Sequence, residues 1–98
     1  MDEEMKRDAR AAIEAFDIAL RQGPELTHTQ IQTATNRVIA FRNHAIEKHR
    51  AGLASRDCLD RANSLVSLAF GGEFPLSGLH LQRMEQARDG LRQLLDAH

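Results

Sequence analysis

The spacing of the apolar residues limits the fold of this chain most strongly. These residues recur every three or four positions within four segments, which places them on one face of an α-helix. No segment alternates apolar and polar residues as a half-buried strand would. The hydrophobic 42% of the chain is supplied mainly by 14 Ala and 12 Leu, against 2 Val and 4 Phe, and Ala and Leu are strong helix formers. The first segment carries Met5, Ala9, Ala12, Ile13, Phe16 and Leu20.

Capping residues and helix breakers set the bounds of four predicted helices, at about residues 2–22, 28–50, 56–70 and 77–96. Thr27 and Gln30 fit the capping box at the start of the second helix. A single glycine does not force a break, so the second and third helices could also be one helix kinked near Gly52. The other predicted boundaries are Gly23-Pro24, the N-cap Ser55, Gly71-Gly72 and the N-cap Ser77.

Short connections between these helices predict an all-α fold, a small antiparallel four-helix bundle that forms one domain over residues 1–98. Ala11, Ala15 and Ile18 widen the apolar face of the first helix, which predicts contact with two neighbours. Residues 1–25 hold seven acidic and four basic side chains, a net of −3, and residues 27–50 hold one acidic and four basic, a net of +3. These opposite charges favour pairing of the first two helices, and equally the association of two chains.

The remaining composition narrows the functional class. A net charge of −1 with neither Trp nor Tyr argues against a nucleic-acid surface. One cysteine excludes an intrachain disulfide and suits a reducing compartment. The acidic residues after Met1 are unlike a signal peptide, and the apolar runs are too short to span a membrane. We therefore expect a cytoplasmic protein, and the ratio of 11 Arg to 2 Lys suggests a bacterial one.

The second helix departs from its own apolar pattern. Thr35, Arg42 and His49 follow one another at seven-residue intervals along the middle of its apolar arc, with Ile39 and Ile46 to one side. Polar groups on an apolar face are costly unless they meet partners, water or a ligand. One interpretation is that the arc consists of two faces, each packed on a different neighbour, with Arg42 reaching solvent along the seam. His49 would then favour the negative end of its helix.

The second interpretation rests on a motif. Arg42 and Asn43, followed by His49, resemble the R-x(4–6)-H motif of HEPN-domain ribonucleases and nucleotide-binding proteins, which are helical bundles. The resemblance implies a dimer whose cleft contains Arg42, Asn43 and His49 and cleaves RNA without a metal. Arg would then steady the phosphate while His moves the proton.

Other reactive residues are predicted to be structural. Cys58 lies in the first turn of the third helix, where amide groups would lower its pKa, but it also belongs to the apolar stripe, which favours a buried core residue. His44 with Glu47, and Glu25 with His28, are spaced as metal ligands, but a di-metal bundle needs more inward carboxylates. We therefore predict no metal and no cofactor.

These observations favour a non-enzymatic interaction module that binds a protein partner or a second copy of itself, most simply as a homodimer. The alternative is the HEPN-like ribonuclease, or an inactive RNA-binding relative, that uses Arg42, Asn43 and His49. An adaptor or chaperone-like protein would bind the apolar residues of a partner helix in a groove. The predicted partner-binding residues are Ile39, Ile46, Thr35, Arg42 and Phe74.

Overall fold

The computed structural model describes residues 1–22, 27–71 and 79–97 and shows an all-α fold. The predicted helix bounds hold to within two residues, and Gly71, which was predicted to follow the third helix, is its last residue. Gly23-Pro24, Phe74 and Ser77 lie outside the described residues. The four helices are α1 (Glu3–Gln22), α2 (His28–Arg50), α3 (Arg56–Gly71) and α4 (Leu79–Asp96).

Side-chain caps explain where the first three helices begin. Asp2 Oδ1 accepts a hydrogen bond from the Met5 amide at 3.0 Å, so Asp2 caps α1 instead of forming its first turn. Thr27 and Gln30 form the predicted capping box: each side chain accepts from the other's amide, at 3.2 and 3.0 Å. Ser55 Oγ accepts from the Cys58 amide at 3.1 Å, which satisfies an amide that the helix leaves unpaired.

The connection between α2 and α3 is a tight turn, so the two helices are separate and not one kinked helix. Gly52 adopts a φ of 77°, a conformation that only glycine adopts at low cost. Its amide donates to the His49 carbonyl at 3.0 Å, and the Leu53 amide donates to the Lys48 carbonyl at 2.8 Å. These two bonds form a Schellman motif, which ends α2 and turns the chain toward α3.

The four helices form a ring in which each contacts two neighbours: α1 packs on α2 and α4, and α3 packs on the same two helices. The prediction that the wide face of α1 has two neighbours is therefore confirmed. Among the residues whose burial the structure describes, eight of the 19 buried hydrophobic residues are alanines, and such small side chains let helix axes approach closely. Phe16 and Phe41 are the largest fully buried side chains in this part of the chain and fill space in the interior beside the alanines.

The helices α3 and α4 are in close contact at Gly90. A Cβ atom at this position would lie 2.5 Å from Leu65 Cδ2, closer than carbon atoms pack. The missing side chain of Gly90 thus makes room for Leu65 within the bundle.

Candidate functional site

Charged side chains join one end of the α1–α2 pair, which we call the closed end. We define it by the cap Asp2, by Glu4 and Asp8 of α1 and by His44 and Lys48 of α2. Lys48 Nζ lies 2.9 Å from Asp2 Oδ2 and 3.1 Å from Glu4 Oε2. His44 Nδ1 contacts Asp8 Oδ2. The start of α1 therefore lies beside the end of α2, as the opposite charges of the two segments predict for antiparallel helices.

These contacts shift the protonation of both basic side chains. The hydrogen bond to Asp8 raises the pKa of His44. Hydrogen bonds to Asp2 and then Glu4 raise the pKa of Lys48. In each case the carboxylate favours the protonated partner, so the closed end is satisfied within the chain.

The other end of the same helix pair carries a shallow groove of about 360 Å³, which we call the open-end groove. Ala11, Ala15 and Ile18 form an apolar row along its α1 wall, while the α2 wall is polar. Ile18 is 45% exposed, although Phe16 and Ala19 beside it on α1 are buried. The residues that line the groove are Ala11, Glu14, Ala15, Ile18, Thr29, Gln30, Thr33 and Arg37.

The polar row of α2 is largely satisfied within the chain. Thr35 is only 1% exposed, and its hydroxyl donates to the Ile31 carbonyl at 3.0 Å. Thr35 therefore belongs to the interior of the monomer and offers no surface to a partner, contrary to its predicted place in a binding surface. An intrahelical bond of this kind lets a threonine replace an apolar residue in a core.

Arg42 and His49, the charged members of that row, are partly buried. Arg42 Nε donates to Asn43 Oδ1 at 3.0 Å, so two of the three residues of the R-N-x5-H motif contact each other. His49 Nδ1 donates to the Ala54 carbonyl at 3.0 Å, across the turn that joins α2 to α3. His49 therefore ties the end of its helix to the following connection.

Ile39 and Ile46 lie on a side of α2 away from its contact with α1. At about 100° per residue they stand roughly 140–160° around the helix axis from His44, which contacts α1. Both are partly buried, and Ile39 packs against the hydrophobic core. This arrangement supports the interpretation that the wide apolar arc of α2 is two faces, each with its own neighbouring helix.

The remaining candidate residues have structural surroundings. Cys58 is 1% exposed, and burial raises the pKa of its thiol, the opposite of the shift that activates a nucleophile. The predicted core position of Cys58 is confirmed. Of the two pairs spaced as metal ligands, the first includes His44, whose Nδ1 contacts Asp8 of α1. The second includes Glu25, which lies outside the described residues.

Within residues 1–22, 27–71 and 79–97, no three His, Cys, Asp or Glu side chains are grouped as a metal site requires. No helix in the same ranges is long and apolar enough to cross a membrane. Comparison with protein-family models, curated proteins and solved structures finds no match to this chain.

The open-end groove is the feature that sequence reasoning missed as a site. Ala11, Ala15 and Ile18 were predicted only to widen the packed face of α1. Their i, i+4, i+7 spacing makes them a row of their own on the helix surface, beside the row of Met5, Ala12 and Phe16 that fills the core. The sequence signal for an exposed groove was the separation of these two rows, with the charged Glu14 next to the outer row.

Proposed function

We propose that this chain is a non-enzymatic interaction module, and that its open-end groove binds an apolar helical segment of a protein. The observation that carries the proposal is the 45% exposure of Ile18 in a row with Ala11 and Ala15. The single cysteine suits a reducing compartment, and we place the module in the cytoplasm, in keeping with a small bacterial adaptor.

The shape and chemistry of the groove suit a helix. Two packed helices form a channel between them, and an amphipathic helix lays its apolar residues into such a channel at i, i+3, i+4 and i+7 spacing. Ala11 and Ala15 allow a partner backbone to approach closely, while Ile18 supplies a large apolar contact. Glu14 and Arg37 stand on opposite walls and would set the orientation of the bound segment through its charges.

The surroundings of Arg42 and His49 also support an interaction module over the ribonuclease alternative. Each has a hydrogen-bond partner in the chain, Asn43 for Arg42 and the Ala54 carbonyl for His49. The bond to Ala54 gives His49 a structural role at the end of α2. The polar row of α2 can thus be explained without a substrate.

Selection of helical peptides tests this proposal. A displayed library of amphipathic helices is selected against the wild-type chain at low protein concentration, and the enriched peptides are titrated into labelled protein by NMR. We expect apolar residues at helical spacing in the enriched peptides, with the largest chemical-shift changes at Ala11, Ala15 and Ile18.

Two variants make the result specific to the groove. Ile18→Asp places a charge in the apolar row and should weaken peptide binding by at least about tenfold, since burial of an unpaired charge is costly. Leu53→Asp is the matched control, because Leu53 is 63% exposed but lies in the turn after α2. Enriched peptides that bind Ile18→Asp as tightly as wild type, or a failure to enrich any peptide, would overturn the proposal.

A further inference from the structure

We propose that the occupant of the open-end groove is a second copy of this chain, related by a two-fold axis that runs along the groove. This inference rests on the proposed function and names its partner. The two-fold relation places Glu14 of each copy opposite Arg37 of the other. Glu14 and Arg37 lie at one level of the groove, both are available to a partner, and only one symmetric dimer pairs them. The Thr33 hydroxyl on the α2 wall is satisfied within its own helix.

Glu14 and Arg37 lie at the same level on opposite walls. The helices are antiparallel, and the contact between Asp8 and His44 fixes their register. Six residues further along α1 is Glu14, and six residues back along α2 is residue 38, next to Arg37. The groove therefore has a negative charge on one wall and a positive charge directly across from it.

Both charges are available to a partner. Glu14 and Arg37 are exposed, and within the described ranges neither side chain forms an ion pair inside the chain, in contrast to the charges of the closed end. A second copy supplies the opposite charge at the required spacing on both walls at once.

The charges select one of two symmetric arrangements. Face-to-face dimers with a two-fold axis use the same patch on both copies. An axis along the groove places α1 of one copy on α2 of the other, at the same level, so that Glu14 meets Arg37 twice. An axis across the groove at the level of Glu14 places α1 on α1 and brings the Glu14 carboxylates of the two copies together, which is unfavourable. The groove is thus self-complementary only in the first arrangement.

The α2 wall tolerates burial under a second copy. Thr33 Oγ1 donates to the Thr29 carbonyl at 2.9 Å, so covering it leaves no unsatisfied hydroxyl. The register above places residue 34 level with Ile18, and Thr33 is its groove-lining neighbour. In the proposed dimer, Ile18 of one copy therefore packs on the methyl group of Thr33 of the other.

A charge-swap experiment tests the dimer. Sedimentation velocity is measured over a concentration series for wild type, Glu14→Arg, Arg37→Glu and an equimolar mixture of the two variants. We expect reversible dimerisation of wild type and dimerisation at least about tenfold weaker for each variant alone, because like charges then face each other. The mixture should recover wild-type dimerisation, since both variants together restore two opposite-charge pairs.

Control variants and specific outcomes define failure. Glu85→Arg and Arg83→Glu make the same changes of net charge on exposed positions of α4 and should leave dimerisation unchanged. If wild type stays monomeric throughout, the second copy is excluded, while peptide binding to the groove would still support the proposed function. If Glu14→Arg and Arg37→Glu each dimerise as tightly as wild type, Glu14 does not meet Arg37 across the interface and the proposed arrangement is wrong.

Discussion

The two ends of the α1–α2 pair solve the same packing problem differently. At the closed end, three carboxylates at the start of α1 pair with Lys48 and His44 of α2. The charges of the two helices are therefore neutralised by each other. At the open end the corresponding positions are Ala11, Ala15 and Ile18, opposite a threonine-rich wall. The same pair of helices therefore has ion pairs at one end and, at the other, an apolar row that nothing in the described chain covers.

The difference shows how a small helical chain separates stability from binding. Ion pairs between exposed side chains contribute little net stability, but they fix the register of α1 against α2. That register determines which side chains line the groove at the other end. A core that includes alanines, Phe16 and Phe41 holds the helices together, so we expect substitutions at the exposed open end to leave the fold intact.

The largest expected effect separates the core of α1 from its groove face. Phe16→Ala should lower the free energy of unfolding by about 3–4 kcal/mol, because it leaves a cavity at a fully packed site. Ile18→Ala, two residues away, should change it by less than about 0.5 kcal/mol. Urea denaturation at low protein concentration measures both, with Phe16→Leu as the milder core variant. Equal losses at the two positions would mean that Ile18 belongs to the core.

The next effect tests the turn beside the closed end. Gly52→Ala should lower the free energy of unfolding by about 1–2 kcal/mol, the cost of a left-handed conformation for a residue with a Cβ. No atom lies within 4 Å of the position that this Cβ would occupy, so the cost arises from the backbone alone. Gly52→Asn, which tolerates this conformation better, should lose less. An unchanged urea midpoint for Gly52→Ala would show that the end of α2 readjusts freely.

Most of the fold could be predicted from the sequence because its signals are local. The capping box of Thr27 and Gln30 and the cap at Ser55 depend on residues three positions apart, and the structure contains both. Pairing of α1 with α2 followed from the net charges of the two segments, which survive small errors in helix bounds.

The site was harder to predict because exposure depends on neighbours that the sequence does not specify. Ile13 and Ile18 are equally apolar, but Ile13 packs against the core while Ile18 is 45% exposed. Periodicity assigns both to one wide face and does not reveal where the adjoining helix stops covering it. Thr35 was misjudged for a related reason: its polarity suggested a surface role, but its own helix satisfies the hydroxyl.

A smaller effect separates the two charged residues of the α2 row. His49→Ala should lower the free energy of unfolding by about 1 kcal/mol, since it removes the hydrogen bond to the Ala54 carbonyl. Arg42→Ala should cost less than about 0.5 kcal/mol, because its bond joins two neighbouring residues of one helix. The same variants are assayed for cleavage of single-stranded RNA. Metal-independent cleavage by wild type that both substitutions abolish would contradict the interaction module and favour the HEPN-like alternative.

The smallest effect concerns the charge of the closed end. The folded-state pKa of His44 lies above its ordinary value of 6.5 because Asp8 accepts its hydrogen bond. The contact therefore stabilises the fold fully below about pH 6.5, and this stabilisation is lost as the pH rises through the raised pKa. His44→Gln should be less stable than wild type near pH 5.5 and should approach it once the pH exceeds the raised pKa of His44. The difference should be small because the His44 side chain is 39% exposed.

Lys48→Met supplies the matched comparison for His44 within the same closed end. Lys48 has a pKa raised above 10.5 by Asp2 and Glu4, so its ammonium stays charged from about pH 5 to about pH 8. The loss of stability in Lys48→Met should therefore be nearly constant over this range, while the loss in His44→Gln declines with rising pH. Urea midpoints at four pH values distinguish the two patterns. A constant difference for His44→Gln would mean that the fold gains nothing from the charge of His44, and only Lys48 would then join the closed end electrostatically.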